Sequence, residues 1–117
     1  MHRFLLFLLA AGALSAADAS GRWRGTLTPE GGNESPALVI LKQAGEALTG
    51  SGGGDEQDRH EITNGRVSGD KVTFEIASGG GGMKFDLTLN GDELSGQVTR
   101  ERRGQVQTAK LSLKREK

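Results

Sequence analysis

The sequence has no cysteine and no tyrosine, one tryptophan, and 15 acidic residues against 15 basic ones in a chain of 117. Without cysteine there is no disulfide framework, no thiolate metal site and no cysteine nucleophile. Without a basic surplus there is no electrostatic footprint for nucleic acid, whose phosphates call for Lys and Arg in excess. The apolar stretch from Phe4 to Leu14 falls well short of the roughly 20 residues that a membrane-spanning helix needs. The length allows one domain at most. What the chain does have is glycine: 19 residues, about twice ordinary usage. That favours turns and close strand contacts over helices, which glycine weakens.

The first residues read as an address. Met1-His2-Arg3 is a short positive start, the apolar stretch follows, and two small-x-small patterns come next, Ser15-Ala16-Ala17 and Ala17-Asp18-Ala19. This is the layout of an export leader. Residues 1–19 are therefore expected to be removed, with the new start near Asp18 or Ser20. Residues 20–117 are expected to form one exported domain, periplasmic or secreted, with no membrane span after cleavage.

That domain shows period-two alternation and no 3.6-residue period. Trp23, Gly25 and Leu27 share one face. Ala37 to Leu41 is an apolar run of strand length. Leu48 with Gly50, Ile62 with Val67, Val72-x-Phe74-x-Ile76, Met83-x-Phe85-x-Leu87-x-Leu89, Leu94-x-Gly96-x-Val98 and Ala109-x-Leu111-x-Leu113 complete eight strands. The odd spacing of Ile62 and Val67 requires a bulge, for which Gly65 is the natural residue. Ala44-Gly45-Glu46, Ser68-Gly69-Asp70 and Asn90-Gly91-Asp92 are tight hairpin signals. The other connections are longer or more charged: Pro29 to Ser35, Ser51 to Asp58, Ser78 to Gly82 and Glu101 to Gly104. In an antiparallel up-and-down meander these two kinds of connection fall at opposite ends. The predicted fold is all-β, an eight-stranded antiparallel up-and-down meander closing into a small β-barrel with a hairpin-closed end and a mouth. Eight strands leave room for side chains or one small ligand. The modest set of large apolar residues predicts an interior that is packed or nearly so, and a monomer.

Gly21-Arg22-Trp23 at the first strand and Gly45-x-x-Leu48-Thr49-Gly50 on the second hairpin resemble the opening motifs of the calycin superfamily, the lipocalins and avidins. The whole domain is similar to small exported bacterial lipocalin-like domains. The resemblance implies that Trp23 plugs the closed end and that a cation of the last strand, Arg115 or Lys114, stacks on it as a cation–π pair. It does not extend to the ligands. An avidin cage uses several tryptophans and a tyrosine, which excludes biotin here. A lipocalin has a longer chain, a disulfide and a helical tail, so a large hydrophobic ligand is not expected.

Candidate chemistry gathers at the mouth connections. His60 is the sole histidine after residue 19 and has Asp58, Arg59 and Glu61 beside it. One imidazole with mobile carboxylates is a poor transition-metal site. The stretch from Gly52 to Asp58 offers too few oxygens for calcium, so no metal and no cofactor is expected. Ser78 to Gly82 lacks the Gly-Lys-Ser/Thr ending and the helix of a phosphate loop. Asn33-Glu34-Ser35 is a glycosylation acceptor pattern, relevant only in a eukaryotic secretory route. Arg100, Arg102 and Arg103 form a charged turn whose guanidinium forks suit carboxylates. With no positioned base beside a serine, an enzyme is not expected. The expected function is non-catalytic binding at the mouth through Asp58, His60, Arg100, Arg102 and Arg103, with a small molecule, a glycan or a protein as partner and no nucleic acid. The alternative is an exported protease inhibitor or other protein-interaction barrel, in which a projecting N-terminal arm or loop does the blocking.

Overall fold

The structure, a computed structural model, describes residues 18–78, 81–102 and 104–116, without the side chains at 78, 81 and 102. Its described residues form eight strands: β1 (Gly21–Pro29), β2 (Ser35–Ala44), β3 (Ala47–Asp55), β4 (Asp58–Ser68), β5 (Lys71–Ser78), β6 (Gly81–Asn90), β7 (Glu93–Arg102) and β8 (Gln105–Arg115). Each pairs antiparallel with the next, and β8 returns to β1 to close the barrel. Gly25 illustrates the closure, lying opposite Ala37 on one side and Leu113 on the other. Closure leaves no strand edge to be covered. Of the leader expected at 1–19, residues 1–17 lie outside the described residues.

The alternation read from the sequence sorts the side chains. Trp23, Val72, Phe74, Leu87, Leu94, Leu111 and Leu113 point inward and are fully buried. The three narrow-end turns have Gly45, Gly69 and Gly91 at φ 67°, 63° and 66°, the left-handed first turn residue that a type II′ hairpin demands. The bulge in β4 falls between Thr63 and Arg66, and Asn64, not Gly65, takes the positive φ, at 53°.

The mouth differs from expectation. Among the described residues the one loop of any length is the β1–β2 connection, residues 30–34. The glycines at 52–54 lie within β3, which continues to Asp55 and turns in two residues into β4. Two-residue connections also join β5 to β6 and β7 to β8. Within this run Gly53 sits where the strands approach too closely for a side chain: a Cβ there would lie 1.6 Å from the Asp58 carbonyl oxygen.

Leu38 departs from the alternation in effect. It belongs to the outer set with Arg24 and Ile40, yet it is fully buried outside the interior cluster. A charged network spans this outer surface. Arg22 pairs with Glu56 across β2, and Glu116 accepts from Arg22 Nε at 2.6 Å and Arg24 Nε at 2.8 Å. These two guanidiniums, Arg24 first, hold the Glu116 carboxyl below its ordinary 4.5. A depressed carboxylate stabilises the fold above its unfolded pKa, and that contribution is lost as pH falls through the folded value. Glu116→Gln is therefore expected to lower the thermal midpoint slightly near pH 7 and progressively less as the pH is taken below the ordinary carboxyl value of 4.5, with the neutral-pH effect shrinking in salt because the groups face water. Paired melts of wild type and variant at neutral pH and at a series of acidic pH values check this; an equal loss throughout would assign Glu116 a packing role.

Candidate ligand-binding cavity

Inside the barrel the narrow half is filled and the mouth half is not. Phe74 and Phe85 stack with ring centroids 4.5 Å apart and an interplanar angle of 19°. Above this pair is a cavity of about 460 Å³, walled by Leu27, Val39, Ile76, Met83, Phe85 and Leu111. The space exists because the inward positions of β2 and β3 near the mouth carry Ala37, Gly52 and Gly54, which also line it. This corrects the expectation of a packed interior. The large residues of the core cluster toward the closed end, and total apolar content does not register where they cluster.

Polar side chains ring the opening. Asp58 and His60 are two apart on β4 and so share its inner face. Both line the cavity, with His60 Nε2 3.4 Å from Asp58 Oδ1. Arg100 of β7, half-buried, lines the same cavity. The structure thus brings together Asp58, His60 and Arg100 from the residues read at the sequence level. Arg102 contributes a backbone pair with Gln105, its side chain is not described, and Arg103 lies outside the described residues. Arg59 points to the outer surface instead, where it donates to Ser51 Oγ at 2.9 Å and to the Glu56 carbonyl at 3.2 Å.

Among the described residues that line the cavity, Ser35 is the one with a side-chain hydroxyl. Its hydroxyl donates to the Leu27 carbonyl at 3.5 Å and not to the imidazole. Asp55, the carboxylate considered for calcium, accepts the Gln57 and Asp58 backbone N–H groups, both at 2.9 Å, and so closes the β3–β4 turn. Among the described residues no three His, Cys, Asp or Glu side chains converge as a metal-binding group.

No protein-family model, no curated protein and no solved structure matches the chain. The barrel architecture is therefore established by its own geometry, and the calycin resemblance rests on the motifs around Trp23 and Gly45.

A larger furrow of about 880 Å³ runs along the outside of the barrel, lined by Thr28, Lys71, Thr88, Ser95 and Ser112 among others. It is open and floored by short hydroxyl side chains, and at its β5–β6 side Lys71 and Asp86 pair at 3.6 Å. The mouth cavity has what small-molecule sites share, apolar walls with a few converging polar groups.

At the opposite end the Arg115 guanidinium lies 4.4 Å from the centroid of the Trp23 ring. Arg115 Nε also donates to Asp92 Oδ1 at 3.0 Å. The sequence reading missed Ala19 and Gln43, which complete this end. Gln43 carried a signal: it continues the inward-facing series Val39, Leu41 and so announces a polar partner inside.

Proposed function

We propose that this barrel is an exported, non-catalytic binding module that takes one small amphipathic molecule at its mouth. The observation that carries the reading is the cavity of about 460 Å³ with apolar walls and Asp58, His60 and Arg100 on its rim. An apolar group would rest against Phe85 and Ile76. The rim offers a carboxylate, an imidazole and a guanidinium, so the polar end of the ligand both donates and accepts hydrogen bonds. The lipocalin-like reading agrees, since such a barrel binds at its open end. Against catalysis stands the Ser35 hydroxyl, directed at a backbone carbonyl. The inhibitor alternative calls for a projecting arm or loop; the described residues ahead of β1 are bonded into the barrel floor, so it would have to act through the loop at residues 30–34.

The test is native mass spectrometry of protein recovered from the exported fraction. A retained small molecule that leaves on denaturation is expected. The double variant His60→Ala with Arg100→Ala should weaken its binding at least about tenfold, the size of one lost charge-assisted hydrogen bond. Both side chains are partly solvated, so the thermal midpoint should stay within about 2 °C of wild type. Undiminished affinity in the double variant would discard the rim as the binding site.

A further inference from the structure

The sequence offers two leader cleavage points, after Ala17 and after Ala19, and the narrow end of the barrel distinguishes them. Ala19 has no solvent exposure and belongs to the interior cluster. Its carbonyl accepts the Trp23 indole N–H at 2.9 Å, and its own N–H donates to Gln43 Oε1 at 2.7 Å. Ser20 Oγ accepts the Gln43 backbone N–H at 2.9 Å. The Ser20 carbonyl accepts from Arg115 Nη1, and the Asp18 carbonyl accepts from Arg115 Nη2 at 3.1 Å. Residues 18–20 thus join β1, β2 and β8 across the floor and satisfy the buried indole donor.

Resting on the export reading above, we infer that the leader is cut between Ala17 and Asp18, so that Asp18-Ala19-Ser20 stays on the mature chain as the cap of the barrel's narrow end. A leader peptidase needs small residues at the cut and two positions before it, and Ala17 and Ser15 supply them. Hydrolysis consumes one water and leaves a carboxylate on Ala17 and an ammonium on Asp18. Asp18 is exposed, so that ammonium is solvated. A cut after Ala19 has two costs. It removes the acceptor of the Trp23 indole, leaving a buried donor unpaired. It also moves the new ammonium from exposed Asp18 to half-buried Ser20, beside the partly buried contact of the Ser20 carbonyl with the Arg115 guanidinium, where less water screens the two positive charges.

The intact mass of protein from the exported fraction tests this directly. A chain starting at Asp18 is expected. A chain starting at Ser20 overturns the inference while leaving the export reading intact, and a chain retaining Met1 overturns both. The role of the cap is read by comparing chains that start at Asp18 and at Ser20. The shorter chain should melt at least about 5 °C lower, as one unpaired buried group implies for a domain of this size, with Trp23 emission moved to longer wavelength. Equal midpoints and spectra would overturn the cap. If the shorter chain does not fold, Gln43→Leu in the Asp18-start chain decides: the Trp23 indole N–H should exchange with solvent at least about tenfold faster, and unchanged exchange would overturn the cap.

Discussion

Trp23→Ala is expected to lower the unfolding free energy by about 3–5 kcal/mol, out of the ~5–15 kcal/mol that holds a typical domain together. Trp23 heads the fully buried side chains by volume. It fills the narrow end, donates its indole N–H to the Ala19 carbonyl at 2.9 Å, and offers a ring face to Arg115 at 4.4 Å. Truncation opens a large cavity, orphans that carbonyl and leaves Arg115 without its ring. No disulfide supplements the core, because the chain has no cysteine. Trp23→Phe separates these contributions, since it retains most of the volume and a ring face but not the N–H. Its expected cost is about 1–3 kcal/mol, the desolvation of an unpaired buried acceptor. Urea unfolding followed by circular dichroism measures both variants without relying on the tryptophan itself. A loss below about 1 kcal/mol for Trp23→Ala would show that the narrow end does not depend on this ring.

How much of this was legible follows from what each signal reports. Period two in β1, β5, β6 and β7 and the first-position glycines at 45, 69 and 91 are local properties, so strand number, order and the two ends could be read. Asp58, His60 and Arg100 could be gathered at one end because alternate connections must fall there. Their shared cavity could not, because its volume depends on which inward positions are small, and that became meaningful only once Ala37, Gly52 and Gly54 were known to face one another near the mouth. The glycines at 52–54, expected in a loop, lie in β3, because composition alone does not separate a turn from a glycine-rich strand. Ala19 was hidden by its membership in a plausible leader pattern.

Gly25→Ala should be nearly as damaging as the loss of Trp23, although it adds a single methyl group. Gly25 lies on the β1–β8 seam, the pairing that turns an eight-stranded sheet into a barrel. A Cβ there would be 1.8 Å from the Ser112 carbonyl oxygen and 2.8 Å from the Leu113 Cα. Both are backbone atoms held in the ladder, so no rotamer change relieves the collision; β1 and β8 must move apart. Separating them unpairs ladder hydrogen bonds and creates two open edges, which invite pairing between molecules. The expected result is a loss of at least about 3 kcal/mol, at the severe end of single substitutions, together with concentration-dependent association. Gly82→Ala is the matched control. Gly82 is also a strand residue, but the nearest atom to an added Cβ is the Ile76 carbonyl oxygen at 3.9 Å, an ordinary contact. That change should stay within about 0.5 kcal/mol of wild type, or stabilise slightly by restricting the unfolded chain. Thermal melts and size-exclusion chromatography over a range of concentrations compare the two variants. If Gly25→Ala melts and elutes like Gly82→Ala, the seam has slack, and closure of the barrel does not depend on a glycine at this position.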